Sequence, residues 1–331
     1  MATLAANVLT LADWAKRIDP DGKTPVIVEL LGQTNEILTD MLYAEGNLPT
    51  GHRVHVRTGL PTTAWRLLNQ GVQPSKSTTA QIDEHAGMLE AWSEVDVDLA
   101  ELNGNTDAFR LSEAKAFIEA MNQEMASTLF YGNAGVSPEE FTGLAVRYSD
   151  KSAANGKNII DAGGTGSDNS SIYLVGWGEN SIFGIFPKGS KAGLTHNNFG
   201  AETVETTAGV GATRMRAYRD QFVWKNGIAL KDWRYTARIA NIDISLAVAG
   251  SVDIIDKMID AIHVIQNLNM VKPVFYMNRT LFGVLDHLRR DDVISGGQLT
   301  YKDVDGKIIP TFRQIPIRIC DALLENEDQV T

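Results

Sequence analysis

The amino-acid sequence predicts an α+β fold, in which runs of strands and runs of helices occupy different parts of the chain. Three observations carry that expectation. Residues 107–131 place Ala114, Phe117, Ile118, Met121, Met125 and Leu129 three and four apart, the spacing of one face of a long helix. Residues 212–243 form two extended runs around Asn226-Gly227, a dipeptide that tolerates positive φ and favours a two-residue hairpin turn. Residues 273–290, PVFYMNRTLFGVLDHLRR, read as a buried strand passing into a helix.

The elements follow in chain order. Up to Asn47, helical spacing is interrupted by Pro20, Gly22 and Pro25, which predicts an arm with one or two helices. From Leu48 to Leu102, HRVHVRTGL and QIDEHAGMLEAWSEVDVDL alternate polar and apolar residues, and PTTAWRLLNQGVQPSKSTT between them is rich in turn formers. Two extended arms and a polar tip result. Such a ribbon is marginally stable alone in water, so it needs a neighbour. In the long helix, Ser112 is a candidate cap, and Gly132 or Asn133 suits a left-handed C-terminal position. Residues 134–170 are loop-rich, and SIYLVGWGENSIFGIFPKGS reads as two short strands around Gly178-Glu179-Asn180. Beyond the Asn226-Gly227 hairpin, Ile254, Ile255, Met258, Ile259, Ile262 and Ile265 share one face of a second helix. Val274 to Met277 form the buried strand, Asn278 caps the next helix, and Leu281, Val284, Leu285 and Leu288 line its inner face. A turn at Asp305-Gly306 and a last strand in IPIRICDALL complete the chain.

Composition excludes several function classes. The 331 residues carry 30 basic and 41 acidic side chains, a formal charge of −11, which argues against a protein that grips DNA by neutralising phosphates. Chain length suggests about two domains or one elaborated domain, at about 100–200 residues per domain. Cys320 is the single cysteine, so no internal disulfide or cysteine-built zinc site can form, and folding in a reducing compartment is expected. The N-terminus lacks the charged-then-apolar pattern of a secretory signal, and no apolar run approaches the roughly 20 residues that span a bilayer. A soluble intracellular product with no membrane partner is expected.

Motif by motif, catalysis finds no support. GIFPKGSK, with Gly184, Gly189, Ser190 and Lys191, inverts the order that a phosphate-binding loop requires and replaces an amide donor with Pro187. An ordinary turn is the better reading. GVGATR, with Gly209, Gly211 and Arg214, lacks the third glycine of a dinucleotide fingerprint. Gly163 to Asp168 resembles one unit of a calcium-binding β-roll without the stacked neighbours that complete its sites, and Asp303 to Lys307 lacks most ligands of an EF-hand. His52, His55, His85, His196, His263 and His287 show no metal-binding spacing. Glu94, Asp96, Asp98 and Glu101 read as a charged face on an edge strand, which discourages wrong pairing. No catalytic, cofactor-binding or metal-binding residue is therefore assigned, and no cofactor is expected.

Segments ADWAKRIDPDG (12–22), LPTGHRVHVRTGLPTTAWRLLNQGVQPSKSTT (48–79), AFIEAMNQEMASTLFYGN (116–133), DWRYTARIANID (232–243), YMNRTLFGVLDHL (276–288) and IPIRICDALL (315–324) together resemble one family. They are similar to the major capsid proteins of tailed bacteriophages, whose Hong Kong 97-type fold also occurs in herpesviruses and encapsulin shells. Short-tailed phages of the Bordetella and epsilon-fifteen kind are the nearer match.

The resemblance implies an N-terminal arm at 1–47, an extended loop (a β-hairpin) at 48–98, and a peripheral domain beginning at 99–170 with a spine helix at 107–132. It implies that 171–331 supplies the remaining peripheral strands, including the hairpin at 212–240, and the axial domain. By the same resemblance the chain is no enzyme but self-assembles into pentamers and hexamers of an icosahedral shell enclosing double-stranded DNA. It would be made and assembled in the bacterial host cytoplasm and reside in the virion capsid. Implied partners are other copies of the chain, a portal protein, a cement or decoration protein, and packaged DNA in weak non-specific contact. The best-known member has a long helical scaffolding segment before its arm; only 1–47 precede the loop here, so a separate scaffolding protein is expected. Lys76 lies at the ribbon tip, but no partner for the crosslink of that member is matched. Alternatives are an encapsulin-like compartment and a phosphate-binding enzyme using Gly184 to Lys191.

Overall fold

The computed structural model describes residues 32–102, 106–205, 214–291, 299–304 and 307–331, with backbone alone at 289–291, 299–304 and 307–309. Most of the expected arm, residues 1–31, lies outside them. Seven α-helices are described: α1 Ile37–Asp40, α2 Val97–Glu101, α3 Thr106–Tyr131, α4 Leu144–Arg147, α5 Ile244–Val248, α6 Ile254–Val264 and α7 Arg279–Asp291. The described strands begin with β1 Tyr43–Glu45, β2 Gly51–Gly59, β3 Thr78–His85, β4 Gly87–Asp96, β5 Ile159–Asp161, β6 Asn169–Trp177 and β7 Ile182–Phe186. Then come β8 Leu194–Glu205, β9 Arg214–Leu230, β10 Thr236–Asp243, β11 Lys272–Met277, β12 Leu299–Val304, β13 Lys307–Phe312 and β14 Ile315–Ile319. Two compact units draw on interleaved segments, one on 34–87, 126–192 and 226–331, the other on 88–125 and 193–225 with 32–33.

In the larger unit, β6 is the central strand. It pairs antiparallel with β10 on one side and with β11 on the other, and β11 continues in parallel to β14. Every residue of β6 and β10 is buried, as expected of strands covered on both faces. Alternation then decides what each face meets. Ile172, Leu174, Ile239, Phe275 and Met277 pack with Ile254, Met258 and Ala261 of α6 and Leu281 and Leu285 of α7. The helices therefore bury the faces their apolar spacing marked out. On the opposite face, Ser171 donates to Glu327, and Arg238 donates to Glu327 Oε2 at 2.8 Å, with both side chains buried. Tyr131 donates to the same carboxylate, and Asn241 exchanges hydrogen bonds with the backbone of Val330 at 2.9 and 2.8 Å. The 324–331 segment is thus stitched onto the sheet.

Asn226-Gly227 is not a hairpin turn. Both residues lie inside β9, a single strand of 17 residues, and neither has positive φ. Up to Trp224 the strand pairs antiparallel with β8, and from Gly227 it pairs with β7. The glycine serves a different need: a Cβ at 227 would stand 2.6 Å from the His85 carbonyl oxygen. The antiparallel partner of residues 214–224 precedes them, as β8, instead of following them. β8 has no apolar period to announce it, since LTHNNFGAETVE is mostly exposed.

Other local expectations also shift. Helix α3 runs through Ser112, so that residue is interior and caps nothing. Its end at Tyr131 uses no left-handed residue; Gly132 instead allows the Phe141 carbonyl oxygen to approach, where a Cβ would meet it at 2.4 Å. Of its expected inner face, Met121, Met125 and Leu129 are buried, whereas Ile118 is exposed. The strands around Gly178-Glu179-Asn180, β6 and β7, meet in parallel at Trp177 and Ile182, so that turn offsets the chain without reversing it. β12 and β13 pair antiparallel with Val304 opposite Lys307, as expected; 305–306 lie outside the described residues.

In the smaller unit, β4 lies beside β9, and β9 pairs with β8. Helix α3 packs on one face, with Phe117 stacked on Phe222 at 6.1 Å and Arg110 donating to both oxygens of Asp220 at 2.9 and 2.8 Å.

Candidate functional site

Among the described strands, β2 and β3 form a two-stranded sheet of their own, a ribbon separate from the main sheet. Its register runs from Gly51 opposite His85 to Gly59 opposite Thr78. Strand β4 leaves the ribbon and joins β9, so the paired ribbon ends at His85.

The root is anchored by chemistry that only close approach allows. A Cβ at Gly51 would meet the Glu84 carbonyl oxygen at 1.9 Å, and one at Gly46 would meet the Gly51 oxygen at 2.2 Å. Val54 and Val56 pack on Phe183, Ile185 and Ala229. Glu84 accepts two hydrogen bonds from the Arg147 guanidinium, at 2.7 and 2.6 Å, and this pair is mostly shielded from solvent. Such a fork-to-fork pair fixes direction as well as distance. His52 sits edge-on to Phe183 at 5.5 Å; burial, then Lys231, lowers its pKa below the usual imidazole value, with Glu84 opposing. Further out, Arg53 and Asp83 form an exposed two-pronged pair, which holds the Asp83 carboxyl below the usual carboxylate range.

Beyond Gly59 the ribbon opens into a tip that is not polar as expected. Trp65 is fully exposed at 104%, Leu68 at 91% and Leu60 at 80%, with Leu67 and Val72 exposed beside them. A turn closed by Gln70 N–H to the Leu67 carbonyl at 3.2 Å, with Asn69 at φ 64°, presents the two leucines. Ser75 donates to the Thr62 carbonyl at 2.8 Å and ties the two sides of the tip. From Arg57 to Ile82 there are Arg57, Arg66 and Lys76 and no carboxylate. An acidic chain therefore displays an apolar, cationic tip. Contiguous exposed apolar surface of this kind marks an interaction site.

The other singled-out residues sit in ordinary roles. Asn278 is almost fully buried, accepts from the Leu281 N–H at 2.8 Å as the cap of α7, and donates toward Ser170 Oγ at 3.2 Å. Gly189 has φ +81° in a turn closed by Ser190 N–H to the Pro187 carbonyl, and its own N–H donates to Glu45 at 2.8 Å. A carboxylate thus stands where a phosphate would have to. Glu94 pairs with Arg219 at 3.0 Å and Asp96 caps α2, but Asp98 and Glu101 lie in α2 and not on the strand, with Glu101 accepting from the Tyr218 hydroxyl, so the four do not form one charged strand face. Arg214 lies in β9 and pairs with Glu205; Gly209 and Gly211 are outside the described residues. The histidines are scattered over β2, β3, β8, α6 and α7, and no group of three metal-ligating side chains occurs among the described residues. Burial pushes the Cys320 thiol up to about 12, so it behaves as a small apolar side chain. No described helix is long and apolar enough to cross a membrane.

Comparison with known proteins matches this arrangement. No curated protein sequence matches the chain. A chain of the Bacteriophage Epsilon15 structure is 32% identical, with a TM-score of 0.78 over 100% of this chain and 99% of that one. The Bacteriophage JBD30 capsid is 8% identical with a TM-score of 0.49, covering 89% of this chain and 92% of its own. The SrpI encapsulin of Synechococcus elongatus is 12% identical with a TM-score of 0.43, covering 71% of this chain and 99% of its own. Neither of these two distant likenesses bears on function. The family model described as Major capsid protein GP7 matches residues 19–331. Covered over nearly its whole length by that model and throughout by the Epsilon15 chain, this protein belongs to the major capsid protein GP7 family and has the Hong Kong 97-type capsid fold.

Proposed function

We propose that this capsid protein assembles into pentamers and hexamers of an icosahedral shell around double-stranded DNA, with the ribbon tip as a principal contact between copies. The observation that carries the reading is the exposure of Trp65, Leu67 and Leu68 on a ribbon anchored at its root. Burying one such side chain contributes about 1.5–3 kcal/mol, so each tip can offset a useful part of the entropy lost on docking. Repetition around a closed shell multiplies that modest contact, because a subunit held at one edge meets its next neighbour at high effective concentration.

Residues 1–47 serve as the arm, 48–98 as the extended loop, 99–170 with the spine helix as the start of the peripheral domain, and 171–331 as its remaining strands and the axial domain. Asn278, as the cap of α7, belongs to the framework at the five-fold and six-fold axes. The protein has no catalytic role, and it works with a separate scaffolding protein, a portal protein and a cement protein. Its charge of −11 supports weak, non-specific contact with the packaged DNA, since bound phosphate would have to be released again at ejection. Assembly takes place in the bacterial host cytoplasm, and the product resides in the virion.

Electron microscopy of the purified chain, with and without scaffold and cement partners from its own genome, tests the reading. Closed shells or five-fold and six-fold capsomers are expected from the wild type. The variant Trp65→Ala with Leu68→Ser should remain folded by circular dichroism and stay unassembled. Shells of unchanged yield from that variant would remove the tip from the assembly contact.

A further inference from the structure

We propose that the loop 163–169 and the end of β10 form a binding site for one calcium ion. The glycine-rich loop has the composition of a calcium-binding β-roll unit but no stacked neighbour of its own kind; in the fold, β10 supplies one. Asp168 and Asp243 each bring an oxygen to Gly166, where a Cβ would lie 2.7 Å from Asp168 Oδ1 and 3.0 Å from Asp243 Oδ2. Their other oxygens are held by the start of α5. Asp168 Oδ2 accepts from the Ser245 N–H at 3.1 Å, and Asp243 Oδ1 accepts from the Leu246 N–H at 2.9 Å and the Ser245 hydroxyl at 2.7 Å. Both carboxylates are thereby fixed in orientation.

Among the described residues, no lysine or arginine forms an ion pair with either of them. The cations of neighbouring segments, Lys151 and Arg238, are committed to Asp161 and Glu327. Two like charges that converge on one point repel, and a divalent cation between them turns that repulsion into attraction.

Asn169 adds a buried oxygen that lacks a donor. The residue is 1% exposed; its Nδ2 donates to the Gly166 carbonyl at 2.8 Å, while its Oδ1, shielded from solvent, accepts from no group among the described residues. That oxygen faces the same corner, since a Cβ at Gly164 would lie 2.7 Å from it and 2.9 Å from the Asp243 amide nitrogen. A buried acceptor without a donor is costly until water or an ion satisfies it. Water would serve the amide alone; a cation serves the amide and both carboxylates.

The donor atoms select the metal. Neither segment contains histidine or cysteine, which disfavours zinc, and two carboxylates with an amide oxygen suit calcium. Calcium takes about six to eight oxygens in an adaptable shell, which loop carbonyls and water would complete. The bound ion would tie the loop to the β10–α5 corner.

Flow dialysis of the purified full chain against calcium at constant ionic strength tests the site. One calcium per chain is expected, with a dissociation constant of about 10⁻⁴–10⁻³ M. Asp168→Asn and Asp243→Asn each keep an oxygen for the α5 amides, and asparagine caps a helix as well as aspartate does, so the corner stays folded. Each should weaken uptake at least about tenfold. Asp150→Asn, which removes an exposed carboxylate outside the corner, should leave uptake unchanged. Hydrogen exchange locates the ion: amides of 163–169 and 244–246 should gain protection with calcium in the wild type and not in the two variants. Uptake that survives both substitutions, or that falls equally with Asp150→Asn, would overturn the site. So would a wild type that takes up no calcium, or one whose added protection lies only elsewhere.

Discussion

Asn278 shows how a single side chain joins a strand to a helix. Its Oδ1 satisfies the Leu281 N–H, and Asn278→Ala is expected to cost about 1–2 kcal/mol, read as a lower urea midpoint with unchanged slope. That role was legible, because capping is local and an asparagine before LFGVL signals it. Arg313 and Gln314 were not legible. They form the two-residue turn between β13 and β14, with φ of 47° and 69°, in positions that asparagine and glycine fill more readily. Arg313→Asn with Gln314→Gly should therefore stabilise the protein by about 1 kcal/mol, raising the thermal midpoint. His52 supplies a pH test. Its folded pKa lies below the unfolded value of about 6.5, so the fold favours the neutral ring. Stability is complete above that unfolded value and is lost as the pH falls through the folded one. Protection factors of the β2 and β3 amides, with exchange corrected for its intrinsic pH dependence, should fall as the pH is lowered below about 6.5, and His52→Gln should remove the change.

Elements were read best where apolar period and burial agree. Helices α6 and α7 sit on the sheet by the residues that spacing selected, because a one-sided helix has a single way to hide its apolar stripe. β8 went unseen, since a polar strand takes its place from its partner's backbone and not from its own pattern. Asn226-Gly227 misled for a related reason: the pair permits a turn without requiring one, and the close approach of His85 claims the glycine instead. Gly227→Val should accordingly destabilise by about 1–3 kcal/mol, with the loss concentrated in β2, β3 and β7 by hydrogen exchange. At the ribbon root, Glu84→Ala leaves Arg147 shielded and unpaired. A loss of about 3–5 kcal/mol is expected, whereas exposed Arg53→Ala should cost less than about 1 kcal/mol. Equal losses from the two would remove the special place given to the buried pair.

At the scale of the molecule, family and fold class were legible from the order of several weak segments, while the apolar tip was hidden inside a stretch that looked merely turn-rich. Turn formers and leucines alternate there, and no sequence pattern announces that, among the described residues, none covers Trp65. The stitched 324–331 segment has a further consequence in time. Arg238 is buried among groups of the larger unit, and its carboxylate partner is Glu327. During synthesis, β6, β10 and β11 leave the ribosome while that guanidinium still lacks its counter-charge. The sheet can pair early, but its polar face closes only when residue 327 has emerged. The last residues to be made are thus the ones that neutralise a charge buried in the middle of the sheet.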